Sequence, residues 1–194
     1  MGINNINVIK NLMYFTHPND YYLIQAIRRS KDTGEKVRVI KTYYVKSFEE
    51  FDLVIAELKL LCPVFKCRAY IQLNKCNSET LCFESIKYLT QLIQDGNTRN
   101  FAKTFSSLSA KAHCDYWLID VDNKDSEYIS KLCSLIKRCR SKKGNDYIKE
   151  LPTLNGVHLI VNPFDLEQFY QLLALEKLDK VDIHKQAMTL LYCE

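Results

Sequence analysis

The run Trp117-Leu118-Ile119-Asp120-Val121-Asp122 sets two carboxylates two residues apart at the end of an apolar segment. Alternate side chains of a strand point to one face, so Asp120 and Asp122 project together. Neighbouring carboxylates repel each other unless a cation sits between them. Hard oxygen donors of this kind suit Mg²⁺ or Mn²⁺. A pair of such ions about 3.5–4 Å apart is the usual clamp for in-line phosphoryl displacement. The same two residues also fit a strand end with solvated acids that leads into a capped helix.

Three further segments carry polar groups in strand-like settings. In Thr153-Leu154-Asn155-Gly156-Val157-His158-Leu159-Ile160-Val161, the glycine permits close backbone approach at the start of a strand. His158 and Ile160 share one face there. The imidazole can act as a donor to nucleotide phosphates or as a hydrogen-bonded core residue. In Lys180-Val181-Asp182-Ile183-His184-Lys185, Asp182 offers a third carboxylate, or a surface turn of mixed charge. In Cys67-Arg68-Ala69-Tyr70-Ile71-Gln72-Leu73-Asn74-Lys75, residues 68, 70, 72 and 74 form a polar face. Such a face suits a phosphate backbone and equally suits solvent.

The positioning elements follow from periodicity. Strands are expected at Tyr21–Arg29 and Val37–Val45, joined by a hairpin loop at 31–35. Ser47 caps a helix with Phe48, Phe51, Val54, Ile55, Leu58 and Leu61 at helical spacing, and Pro63 stops it. A strand at 67–73, a helix at 78–94 and a helical or irregular stretch at 101–112 follow. The strand 115–122 is succeeded by a helix from Asp125 or Ser126 to about Arg140, then a strand at 153–161. A helix capped by Asp165 and short strands at 180–183 and 189–192 close the chain. From residue 67 the succession β-α-β-α-β-α-β predicts a sheet covered by helices.

Apolar residues at 47% and charged residues at 26% exclude disorder as the main state. The net charge of +4 is too small for a protein that coats DNA by charge alone. Positive charge is nonetheless concentrated in Lys131–Lys143, where Lys137, Arg138, Arg140, Lys142 and Lys143 can track a nucleic-acid backbone or complement a helix C-terminus. The start of the chain lacks the basic-then-apolar pattern of a secretion signal. The eight cysteines are therefore expected as free thiols, with no Cys-x-x-Cys pair to suggest zinc.

An apolar strand ending in Asp-x-Asp, a Gly-x-His strand, then an apolar-Asp motif resembles the archaeo-eukaryotic primase superfamily, in particular its small phage and plasmid primase-polymerases. Asp120 and Asp122 match the first motif, Gly156-Val157-His158 the second and Val181-Asp182 the third, over about residues 65–194. The resemblance implies an α+β fold: an RRM-like mixed sheet with flanking helices at 65–194, the catalytic core, preceded by a small α/β module at 1–64. It implies Asp120, Asp122 and Asp182 as catalytic ligands of two Mg²⁺ or Mn²⁺ ions. His158, Lys185, Arg68 and Lys75 would bind the nucleotide, and Lys137, Arg138, Arg140, Lys142 and Lys143 the nucleic acid. The implied partners are single-stranded DNA or RNA, nucleoside triphosphates and a replicative helicase on another chain, with no membrane. The setting would be the cytoplasm of a bacterial or phage-infected cell. Two alternatives use the same residues: a catalytically inactive nucleic-acid-binding protein, with Tyr43, Tyr44 and Tyr70 stacking on bases, and a metal-dependent nuclease.

Overall fold

Alternation of apolar and polar residues builds a long hairpin from β2 (Asp20–Arg28) and β3 (Arg38–Val45). The computed structural model describes residues 2–34, 36–100, 107–108, 115–144 and 148–194. Most of the stretch expected to be helical or irregular at 101–112 lies outside them. The hairpin tip is more than a loop: a single helical turn, α2 (Ser30–Thr33), ends at Gly34 with a φ of 72°, a left-handed value that favours glycine. β4 (Arg68–Gln72) pairs with β2, and the C-terminal β10 (Met188–Cys193) pairs with β4. β1 (Ile3–Asn4) pairs with β10, giving the order β1-β10-β4-β2-β3, while β5 (Cys76–Asn77) pairs with the start of β2.

Helix α3 (Phe48–Phe65) covers this sheet with Phe51, Ile55, Leu58 and Cys62. The Ser47 side chain accepts a hydrogen bond from the Glu50 amide, as its position predicts. Pro63 does not stop the helix. It sits in the last turn, and the chain leaves only at Lys66, whose φ of 47° allows the Cys67 amide to donate to the Cys62 carbonyl. The short α1 (Ile6–Lys10) inserts Ile6 and Ile9 into the same core. Helix α4 (Ser78–Gln94) is capped by Asn77 and buries only Leu92.

A second sheet has the order β7-β8-β6-β9, formed by β6 (Trp117–Val121), β7 (Ile148–Pro152), β8 (Val157–Val161) and β9 (Asp182–His184). Helices α5 (Ser126–Arg138) and α6 (Leu166–Leu175) cover one face, where Leu132, Leu135, Ile136, Phe169 and Leu173 meet Trp117, Ile119, Val121, Leu159 and Val161. The chain is thus an α+β fold with two sheets. Every strand pairing among the described residues is antiparallel, in contrast to the expected mixed sheet. The reason is β7: a strand inserted after α5 reverses the chain once more, so β8 returns antiparallel to β6. Its residues, Ile148-Lys149-Glu150-Leu151-Pro152, hide it behind two charges and a proline. Nor does the division between sheets fall at residue 64, because β4 and β10 join the N-terminal strands. No helix among the described residues is long and apolar enough to cross a membrane.

Buried amide side chains tie the two sheets together. Asn74, at the exit of β4, donates to the Tyr116 carbonyl at 2.8 Å and to the Lys185 carbonyl at 3.3 Å. Its oxygen accepts from the Asp115 and Tyr116 amides at 3.1 and 2.8 Å. Asn5 donates to the carbonyls of Leu190 at 2.8 Å and Pro152 at 3.0 Å. Leu118, Leu151 and Ile160, on the helix-free face of the second sheet, join the first core. Asn74→Ala should lower stability by about 1–3 kcal/mol, because it strands buried partners at the start of β6. Urea unfolding compared with a surface control, Lys59→Ala, checks this.

Candidate active site

Asp120 stands directly opposite His158 of β8 on one side and Asp182 of β9 on the other. Leu151 of β7 extends the row beyond His158. Directly opposed residues of antiparallel strands share a face, with Cβ atoms about 5 Å apart. Strand register therefore gathers groups that lie far apart in the chain. Asp122 follows the last residue of β6 and lines the same cleft.

Gly156 explains how β8 reaches this register. A Cβ on it would collide with the Val121 carbonyl oxygen and crowd the Asn123 amide. Only glycine lets the start of β8 run so close to the end of β6. The tight passage is closed by Thr153, whose amide donates to the Gly156 carbonyl and whose hydroxyl accepts from the Gly156 amide, both at 3.0 Å.

His158 Nδ1 lies 2.8 Å from the hydroxyl of Thr189, a fully buried residue of β10. Nε2 lies 3.4 Å from Asp120 Oδ1. Burial lowers the imidazole pKa, and His184 adds to this. The Asp120 and Asp122 carboxylates oppose it without restoring the ordinary value. The ring is thus neutral at pH 7, with one nitrogen donating and the other accepting. No lysine or arginine among the described residues forms an ion pair with Asp120, Asp122 or Asp182.

His158 and Asp120 of this row open into a cleft of about 610 Å³, while Asp182 lines a smaller cavity of about 260 Å³ beside Asp120 and Asp122. Asp120, Asp122, His158 and His184 line one side, and Arg29, Lys31, Arg68 and Tyr70 the other. Arg68 forms an ion pair with Asp32 of α2, and Arg29 stacks 5.8 Å from the Tyr70 ring centre. An acidic wall facing a basic one suits a ligand that is itself anionic but carries or recruits cations. Opposed carboxylates without a basic partner match the hard-oxygen donor set that Mg²⁺ or Mn²⁺ prefers. Among the described residues, no three His, Cys, Asp or Glu side chains are already drawn together as a metal cage. Asp120, Asp122 and Asp182 would have to turn toward a common ion. No family model matches the chain, and searches of curated proteins and of solved structures give no match either.

The other sequence-predicted residues are distributed differently. Lys75 does not reach the cleft. It is buried, 2.7 Å from Asp20, bonded to the Thr16 hydroxyl and stacked 4.5 Å from the Tyr14 ring centre. Lys185 lies 5.1 Å from the Trp117 ring centre, on the helix-covered side, because alternation along β9 turns His184 and not Lys185 into the cleft. In the basic segment, Arg138 pairs with Glu176, Arg140 with Asp165 and Lys143 with Asp115, all away from the cleft. Sequence reasoning passed over Arg29, Lys31, His184 and Thr189. The cationic run at the hairpin tip and the i, i+2 spacing of Asp182 and His184 were the available signals; Thr189 had none.

Gly156→Ala should cost about 1–3 kcal/mol by overpacking and shift the amide resonances of Asp120 and Asp122; thermal unfolding and ¹⁵N NMR check both. A second expectation concerns the Asp20 knot. Burial raises the Asp20 carboxyl pKa, but hydrogen bonds from Lys75, Thr16 and Asn77 outweigh it and hold the group well below the usual carboxylate range. A depressed folded pKa contributes stability above the unfolded value, near 4, that is lost as pH falls below it. Asp20→Asn should remove this acid-side slope and cost about 3–5 kcal/mol at pH 7, since it leaves the Lys75 ammonium buried without its carboxylate. Urea unfolding at pH 3 to 7 measures both effects.

Proposed function

We propose that the chain is a metal-dependent nucleotidyltransferase of the primase-polymerase type, joining nucleoside triphosphates on a single-stranded nucleic acid. The observation that carries this reading is the cross-strand row His158–Asp120–Asp182: His158, Asp120 and Asp122 face a basic wall across one cleft, and Asp182 lines a smaller cavity that Asp120 and Asp122 share. The succession β6-α5-β7-β8-α6-β9 with strand order β7-β8-β6-β9 supports it, since β-α-β-β-α-β is the succession of ferredoxin-like folds, here with an antiparallel rather than the expected mixed sheet.

On this reading Asp120, Asp122 and Asp182 hold the divalent ions. When bound, those ions neutralise phosphate charge and favour an attacking oxygen anion. The neutral His158 donates from Nε2 to a triphosphate oxygen while Thr189 holds Nδ1. Arg68 exchanges Asp32 for a phosphate, with Arg29 and Lys31 adding positive potential. The 3′-hydroxyl gives up its proton to solvent, its oxygen bonds to the α-phosphorus, the α–β phosphoanhydride bond breaks, and pyrophosphate leaves. The residues act by positioning and electrostatic preorganisation, without a covalent intermediate.

The test is incorporation of labelled NTPs and dNTPs on single-stranded DNA with Mg²⁺ or Mn²⁺, resolved by product length. Wild type should lengthen products, and Asp120→Asn/Asp122→Asn should reduce them at least about 100-fold while folding normally. Shortened DNA without added nucleotides would move the assignment to a nuclease. Folded protein that binds DNA and yields neither product would leave a binding protein.

A further inference from the structure

A second cavity, of about 600 Å³, opens at the other end of β6 from the carboxylates. Its floor is Trp117, Pro163 and Phe164, and its rim carries Arg140, Lys142 and Lys143. Trp117 is the first residue of β6 and pairs with Val161, the last of β8, so the floor joins the start of one strand to the exit of the other. Trp117 and Phe164 belong to the helix-covered core, so this cavity and the cleft lie on opposite faces of the sheet.

The rim is anchored to the floor. The Asp165 amide donates to the Arg140 carbonyl at 2.8 Å, and the Ser141 hydroxyl to the Pro163 carbonyl at 2.7 Å. The Asn162 side chain donates to the Gly144 carbonyl at 3.0 Å, and the Arg140 amide to the Gln168 side chain at 2.8 Å. These bonds hold the loop after α5 beside the segment after β8, and with it the three cations at one edge of an apolar surface. Arg140 pairs with Asp165 at 2.6 Å and Lys143 with Asp115 at 2.8 Å, whereas Lys142 forms no ion pair among the described residues. Among the described residues of this rim, three cations meet two carboxylates.

We propose that this cavity binds one nucleotide unit of a single-stranded nucleic acid, its base on the Trp117–Pro163–Phe164 floor and its phosphate on Lys142 and its neighbours. A ring contact and an anion contact at short, fixed separation are what a nucleotide offers. An acidic peptide satisfies the rim without requiring the aromatic floor. Binding here needs no turnover, so it stands or falls apart from the chemistry of the cleft.

Trp117 is the chain's only tryptophan, so its emission reports on this cavity. The full chain is titrated with a short oligothymidylate, following Trp emission together with anisotropy of a labelled oligomer. Emission should change saturably in step with binding. Affinity should fall with salt and drop at least about tenfold in Lys142→Glu/Lys143→Glu, or about threefold in the milder Lys142→Ala if the double variant misfolds. A charge-matched control on exposed helix residues outside both sites, Lys59→Glu/Lys87→Glu, should bind as wild type does. Absence of binding, binding without a change in emission, or binding indifferent to the lysine substitutions would each overturn the proposal. An oligoglutamate that reproduces the emission change and displaces the oligomer would overturn it in favour of a peptide.

Discussion

Asp120 and Asp182 face each other on adjacent antiparallel strands, and like charges so placed work against the pairing that holds them. The surrounding structure must supply what the pair loses. Ile119 and Val121 are buried against α5 and α6, so β6 is anchored from the far side of the sheet. On the near side, Leu118, Ile160 and Leu151 enter the other core. β6 is thus clamped by hydrophobic burial on both faces, and its acidic end has no freedom to splay away. A site with this much local repulsion belongs on a rigid element, since a loop would relax and separate the charges.

The clamp works only because the two sheets are joined by directional bonds as well as by apolar contact. Asn74 uses both ends of its amide on the backbone leading into β6 and on the Lys185 carbonyl just past β9. Asn5 spans β10 and β7. Thr189 carries the connection into the site itself through His158. Hydrophobic burial is non-directional and tolerates sliding. These hydrogen bonds are geometric, so they convert two packed layers into one cleft of set width, with acids on one wall and Arg29, Lys31 and Arg68 on the other.

The same logic separates the two basic regions. The cations of the cleft come from the hairpin tip and β4, while Arg140, Lys142 and Lys143 sit around the far end of β6. A net charge of +4 conceals this division. So does the linear sequence, where the second cluster is the more conspicuous. What distinguishes them is which end of a single strand each one surrounds.

Much was legible from residue order alone. Period-two and period-3.6 patterns located β2, β3, β4, β6, α3, α4, α5 and α6 to within a few residues, because burying one face of each element imposes its own repeat. Asp120, Asp122 and His158 stood out because charged or imidazole side chains within apolar strands are costly and so informative, and Gly156 because a glycine at a strand entrance permits close backbone approach. The tertiary structure decided the rest. β7 carries two charges and a proline, yet its pairing reverses β8 and makes the sheet antiparallel. Lys75 reads as an exposed cation, yet Asp20 and Tyr14 close over it, since a long side chain at a strand exit can turn inward when a carboxylate waits there. Lys185 and His184 are neighbours that strand alternation sends to opposite faces. Whether Asp182 met Asp120 at all was a matter of register, which depends on pairing partners distant in the chain and leaves no local trace in the sequence.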